Sequence, residues 1–201
     1  SNMCHESSGV ALTQTIGVGK GTVSLEDIRD HADLIVIMGQ NPGTNHPRML
    51  TSLEALKKRG GRIVAINPLP EAGLMRFKNP QRPSGVVGGG TALSDVYLPV
   101  RVNGDLALLL EVNRRLVQRG AVDHSFIEAF TDGFQAAAQH WSSVDPVAVS
   151  GLTGLTSEQI EQFVDEVAGA DRVIVCWAMG LTQHRNSVAT IREVVNLLLL
   201  G

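Results

Sequence analysis

The chain has 201 residues, 43% of them hydrophobic and only 18% charged, with a formal net charge of −3 at pH 7. That length covers one sizeable domain or two small ones, and the mild negative charge without a basic stripe argues against nucleic acid as the main partner. Two cysteines far apart, Cys4 and Cys176, make neither a disulfide framework nor a metal-binding pair and suit a reducing cytoplasm, while no stretch reads as a signal peptide or reaches transmembrane length. The charged fraction lies below the roughly 25% of an average soluble domain, so part of the surface is expected to be covered by something outside this chain. Ser1-Asn2 reads as a remnant of tag cleavage, and Val194 to Gly201 stops inside an apolar helix. The expectation is a single domain over residues 3–201, part of a longer protein.

The spacing predicts a short helix from Cys4 to Thr15, with Val10, Ala11 and Leu12 inward. Gly17-Val-Gly-Lys-Gly-Thr22 has the look of a phosphate loop. It lacks the Ser or Thr directly after Lys20 and a strand before its first glycine, so it reads as a connector. Ser24, with Asp27 three residues on, caps a short helix carrying Leu25, Ile28 and Ala32. Five apolar residues, Leu34 to Met38, read as a strand buried on both faces. Gly39 ends it, a polar loop through Asn45 follows, and Pro47 opens a helix to about Arg59 with Met49, Leu50, Leu53 and Leu56 on one face. Arg62–Ile66 is a second buried strand, parallel to the first, so its exit Asn67-Pro68 lies beside the first loop.

Residues 70–94 read as irregular. Tyr97–Val102 is a short third strand that Pro99 pushes to the sheet edge, and Asn103-Gly104-Asp105 turns into a helix from Leu106 to about Arg119, apolar at Leu106, Leu109, Leu110, Val112, Leu116 and Val117. Helices follow around Phe126 to Phe130, Phe134 to Trp141, and after Thr156 with Ile160, Phe163, Val164 and Val167 on one face. Arg172–Trp177 is the last strand, Met179 to Gln183 its exit loop, and Asn186–Leu200 the last helix. Alternating strands and helices indicate an α/β, doubly wound, mostly parallel sheet flanked by helices.

In such a sheet ligands bind outside the carboxyl ends of the strands. Three strand exits here carry small or amide residues: Gly39 to Asn45, Asn67 to Pro70, and Met179 to Gln183. A fourth turn, Asn103-Gly104-Asp105, opens a helix. Amides and backbone N–H groups suit a heterocycle, a ribose or a diphosphate, and a carboxylate such as Asp105 matches the paired donors of a guanine edge. Singly these residues are ordinary turn formers and caps; together on strand ends they favour a nucleotide. No G-x-G-x-x-G follows the first strand, which argues against ordinary NAD binding. Cys4-His5 joins a soft metal ligand to a proton carrier, whereas Cys176, inside a strand, reads as a small core residue.

Met3-Cys-His-Glu-Ser-Ser-Gly-Val-Ala-Leu-Thr-Gln-Thr-Ile-Gly17, Gly39-Gln-Asn-Pro-Gly-Thr-Asn-His-Pro47 and Trp177-Ala-Met-Gly-Leu-Thr-Gln183 together resemble the molybdopterin oxidoreductases, in particular formate dehydrogenase catalytic subunits and their oxidoreductase alpha-subunit relatives. The resemblance runs from Cys4 to Gly201. It implies one dinucleotide-binding domain of a larger subunit that holds bis(molybdopterin guanine dinucleotide) with molybdenum or tungsten. It implies Cys4 as protein ligand to the metal and His5 as the group that moves the substrate proton. Gly39, Asn41, Thr44, Asn45, Asn67, Pro68, Asn103, Gly104, Asp105, Met179 and Gln183 would be the cofactor-binding residues. Asn67-Pro68-Leu69 departs from the Asp-Pro-Arg common in relatives, which weakens an acidic ribose contact to an amide, and Thr44 stands where some members have Asp. The irregular segment is longer than in formate dehydrogenases, which favours their less characterised relatives. A 4Fe-4S cluster and a substrate-orienting arginine would lie outside this chain, in the remaining domains of the longer subunit. The implied substrate is formate or a similar small molecule, with an electron-transfer subunit as a further partner and neither nucleic acid nor membrane.

A second reading is a non-catalytic structural or electron-transfer subunit of the same fold, as in the large iron–sulfur subunit of respiratory complex I. The adjacent Cys4-His5 weighs against it, because a scaffold has no need of that pair. A third, an unrelated nucleotide-binding domain such as the middle domain of thiamine-diphosphate enzymes, explains the sheet but not Cys4-His5.

Overall fold

A computed structural model describes residues 4–80 and 89–201; Ser1-Asn2, read from sequence as a tag remnant, and the part of the irregular stretch at 81–88 lie outside the described residues. Four parallel strands, β1 (Leu34–Met38), β2 (Arg62–Ile66), β3 (Val96–Leu98) and β4 (Val173–Trp177), pair in the order β3-β2-β1-β4. Register runs Val36 opposite Val64 and Val175, so the exits of β1, β2 and β4 are level. The doubly wound parallel sheet expected from sequence is therefore present, with β3 at an edge.

The helices are α1 (Glu6–Ile16), α2 (Pro42–Asn45), α3 (Pro47–Lys58), α4 (Ala72–Met75), α5 (Asp105–Arg119), α6 (His124–Phe130), α7 (Phe134–Ser142), α8 (Pro146–Thr153), α9 (Ser157–Ala168), α10 (Met179–Thr182) and α11 (Ser187–Leu199). Strand alternation divides the core in two. Ile35, Ile37, Ile63 and Ala65 meet Met49, Leu50, Leu53 and Leu56 of α3 and Ile28 of the π-wound turn Asp27–His31. Leu34, Val36, Met38, Val64 and Ile66 meet Leu108, Leu109, Val112 and Leu116 of α5, Ile160, Phe163 and Val164 of α9, and Val194 and Leu197 of α11. The β1–β2 crossover covers one face and the β3–β4 crossover the other, so the winding reverses between β1 and β4. Crevices at such reversal points are where open α/β sheets take ligands.

The differences from sequence expectation have local causes. The third strand stops at Leu98, not Val102. Pro99 offers no N–H, Val100 N–H turns back to Leu98 O at 2.9 Å, and Arg101 N–H pairs instead with Thr153 O of α8 at 2.8 Å. On α1 the buried face is Ser7, Ser8, Ala11 and Leu12, at i and i+4 spacing, which leaves Val10 40% exposed. Leu108, not Leu106, carries the face of α5. Helix α8 is additional; its signal was Asp145 as N-cap, accepting from Val147 N–H, followed by Pro146 at the first helical position. Asp27 and Ser24 form the expected reciprocal cap, Ser24 N–H to Asp27 Oδ2 at 2.8 Å and Asp27 N–H to Ser24 Oγ at 3.1 Å.

The exits of β1 and β4 touch. Gly180 N–H donates to Gly39 O at 3.0 Å. A Cβ on Gly180 would lie 2.5 Å from Gly39 Cα, and one on Gly39, which has φ +56°, would lie 2.8 Å from the Gly180 backbone. Gly39→Ala and Gly180→Ala are each expected to cost about 1–3 kcal/mol through forced backbone shifts. Gly151→Ala, in α8 with nothing within 4 Å of its Cβ, should stabilise by about 0.5–1 kcal/mol. Denaturant unfolding of the three variants checks the contrast.

Candidate active site at the carboxyl edge of the sheet

The first exit is shaped by Asn41. Its backbone precedes α2 and its Oδ1 accepts from Thr44 N–H at 3.1 Å, while its Nδ2 donates to Glu71 Oε2 across the second exit. Thr44 and Asn45 sit exposed on the outer turn of α2. The second exit is tied to the first through Asn67, which is buried and donates from Nδ2 to Gln40 O at 3.2 Å; its own carbonyl accepts from Tyr97 Oη at 3.0 Å. Pro68 is exposed beside it. The two loops therefore stand side by side, as parallel strands joined by one crossover require.

The third exit carries α10 and meets the start of α1. Gln183 Nε2 donates to Cys4 O at 3.4 Å and lies 3.8 Å from the Met179 sulfur. Ser7 Oγ donates to Thr182 O at 3.2 Å. Trp177, the last residue of β4, donates from Nε1 to Ser8 Oγ at 2.9 Å, and His5 Nδ1 lies 3.2 Å from the same oxygen. Three short ties thus hold the first turn of α1 at the sheet's carboxyl edge, with Cys4 and His5 exposed at its tip. A cavity of about 400 Å³ opens there, lined by Glu6, Ser7, Val10, Gln183, His184 and Arg185 among others.

The fourth turn approaches from the far side. Asn103 is the only non-glycine among the described residues with positive φ, +68°, and is exposed. Gly104 is packed so closely that a Cβ would lie 3.0 Å from Arg101 O and Leu152 O. Asp105, the first residue of α5, is only 4% exposed and faces inward, its Oδ2 3.9 Å from His184 Nδ1. Burial pushes the Asp105 carboxyl above its ordinary range, against the pull of its own backbone N–H and of His184.

Sequence reasoning missed His184 as part of this edge and gave no role to Gln40 and Glu71, which it placed only within the two exit loops. No spacing rule marks them, and each matters only through a partner distant in the chain. Gln40 Oε1 and His184 Nδ1 are buried and without a hydrogen-bond partner among the described residues, which at a strand edge signals atoms shaped for a ligand. An exposed thiol, a neighbouring imidazole, unsatisfied acceptors and amide-rich exits form a donor set that suits a metal-bearing dinucleotide.

The molybdopterin oxidoreductase family model matches residues 2–201, and the chain belongs to that family. It is 48% identical over 206 residues to an uncharacterised oxidoreductase of Mycobacterium tuberculosis and 44% identical over 211 residues to protein YdeP of Escherichia coli, in both cases along 100% of this chain. Formate dehydrogenase H of Escherichia coli is 24% identical over 200 residues. The chain spans about a quarter of the length of these relatives, 26%, 28% and 26%. Acetylene hydratase from Pelobacter acetylenicus shares the fold, with a TM-score of 0.78 over 96% of this chain and 24% of that one at 19% identity. Among the described residues no helix is long and apolar enough to cross a membrane.

The two cysteines should differ sharply in reactivity. Burial in the sheet pushes the Cys176 thiol up to about 11, so at pH 8 only about one thiol in a thousand is ionised. Iodoacetamide at pH 8 should modify Cys4 and spare Cys176, as read by peptide mass spectrometry. For Asp105 a raised carboxyl means that the folded state holds its proton longer than the unfolded chain does. Its contribution to stability is therefore fully present below the unfolded value and falls as pH rises toward the folded one. Asp105→Asn should gain stability relative to the parent as pH climbs from 4 to 7, measured by denaturant midpoints at each pH.

Proposed function

We propose that this chain is a cofactor-binding and metal-ligating domain of a molybdopterin-dependent oxidoreductase related to formate dehydrogenase. The observation that carries the reading is the meeting of Cys4 and His5 with the β4 exit at the same sheet edge that bears the Asn41 and Asn67 loops. The exits, with Gly39, Asn41, Asn67, Pro68, Asn103, Gly104, Met179 and Gln183, would grip a pterin guanine dinucleotide, and Cys4 would hold the molybdenum or tungsten through its thiolate. The bound metal centre would supply two-electron redox chemistry.

The chain's own residues then have distinct tasks. His5 Nδ1 lies 3.2 Å from Ser8 Oγ, which accepts from Trp177; in the tautomer with the proton on Nδ1, that contact would fix the ring and leave Nε2 as the acceptor for the proton released from formate or a similar small substrate. The ties from Ser7 to Thr182 and from Gln183 to Cys4 hold that pair against the third exit. In the longer protein, electrons would leave through an iron–sulfur cluster held outside this chain.

The test uses the full-length protein. It should contain stoichiometric molybdenum or tungsten by elemental analysis and reduce a viologen dye with formate. Cys4→Ser should abolish turnover with the fold intact by circular dichroism, and His5→Ala should lower turnover by about 10²–10⁴-fold with metal retained. A metal-free full-length protein, or a Cys4→Ser variant with undiminished turnover, would sink the reading. Metal-loaded protein active on another small substrate but inert to formate would remove formate alone.

A further inference from the structure

The second exit loop lacks the group its position calls for. In an open α/β sheet the strand beside β1 often ends near a carboxylate that reads a nucleotide ribose, because a carboxylate can accept from both hydroxyls of a vicinal diol. Here β2 ends in Asn67, and that side chain is occupied: it is 4% exposed and its Nδ2 donates to Gln40 O. A carboxylate reaches this edge from elsewhere. Glu71 precedes α4, and α4 packs on α2 through two glycines, close enough that a Cβ on Gly73 would lie 3.1 Å from Gly43 Cα. That contact brings Glu71 across both exits to accept from Asn41 Nδ2.

The hydrogen bonds leave an uneven result. Asn41 is engaged at both ends of its amide, by Thr44 N–H and by Glu71. Glu71 is engaged only through Oε2; its Oε1 bonds to no described residue, and the side chain is half-buried rather than free in solvent. A second unused acceptor stands one residue before Asn41. Gln40 is 8% exposed, and its Oε1 is buried without a partner among the described residues. A carboxylate oxygen left unused where the two exits meet describes a place for a hydroxyl donor and not for an anion, since a phosphate would meet a carboxylate there.

We propose that Glu71 recognises the vicinal hydroxyls of a nucleotide ribose bound at the β1 and β2 exits, in the role that the strand-end Asn67 cannot fill. The inference rests on reading this edge as a nucleotide site and adds a residue which that reading does not use. Asn41 is then the positioning residue: it holds the Glu71 carboxylate still and is itself held by α2.

Calorimetric titration of GDP and of 2′,3′-dideoxy-GDP into the full-length protein freed of bound cofactor, and into its Glu71→Gln variant, tests this. Gln keeps an acceptor for Asn41 Nδ2, so the clasp between the loops persists, while the charge and one acceptor oxygen are lost. GDP should bind the variant about tenfold more weakly, the scale of one charge-assisted hydrogen bond. Dideoxy-GDP should bind the parent about tenfold more weakly than GDP does, and should bind parent and variant alike. Equal weakening of both nucleotides in the variant would overturn the proposal, because it would mean that Glu71 only shapes the loop. So would GDP binding indifferent to both the substitution and the diol, with the nucleotide reading left standing. Failure of the parent chain to bind GDP at millimolar concentration would overturn the nucleotide reading and this inference with it.

Discussion

The carboxyl edge depends on one contact, the backbone of Gly39 against the backbone of Gly180. At the reversal of a doubly wound sheet the exits of adjacent strands ordinarily part, because their crossovers run to opposite faces. Here they are pulled together by a hydrogen bond of 3.0 Å, in a space that admits no Cβ on either side. The contact folds α10 back over β1, and α10 carries Thr182 and then Gln183, the two residues that hold the start of α1. Without the glycine pair, the start of α1 would lose two of the three ties that hold it, keeping only that from Trp177 to Ser8.

The same contact divides the edge into two sides. On one lie the exits of β1 and β2, cross-tied by Asn67 to Gln40 and Asn41 to Glu71. On the other lie α1, α10 and the first turn of α11 around the cavity beside Gln183 and His184. Most polar side chains on both sides are held by another part of the edge, so their ordering is accomplished on folding and not at the moment of binding. The exceptions among the buried atoms here, Gln40 Oε1, His184 Nδ1 and Asn186 Oδ1, are the informative ones, since a buried polar atom without a partner is tolerated where a ligand completes it.

Further from the edge, charge is used to lock helices. Glu111 is fully buried in α5; burial raises its carboxyl, but hydrogen bonds from Arg114 and Arg115 outweigh that and hold it below the ordinary range. Arg115 also reaches Glu161, and Arg119 reaches Glu161 and Asp165 of α9. This network fixes α5 against α9, and so fixes the turn at Asn103 from which α5 starts. On the opposite face β4 has less cover: Ile174 and Cys176 are only partly buried.

Much of this was legible in the chain itself. Apolar runs of five and four residues located β1 and β2, and the 3.6-residue spacing of Met49, Leu50, Leu53 and Leu56 located α3, because burial selects residue type by face. Proline marked β3 as an edge strand, since it removes a ladder donor, but the end of that strand at Leu98 was not read from it. The ordered motifs around Cys4, Gly39 and Trp177 carried the family resemblance. What only the tertiary structure decided is who meets whom. Val10 pointed outward and Ser7 and Ser8 inward, because α1 is docked by hydrogen bonds and not by apolar periodicity. Asp105 turned toward His184, 79 residues away, and Glu71 reached Asn41, thirty residues back. Such pairs obey no local spacing. They follow from strand order and from glycine contacts that let backbones approach, and both are properties of the assembled sheet.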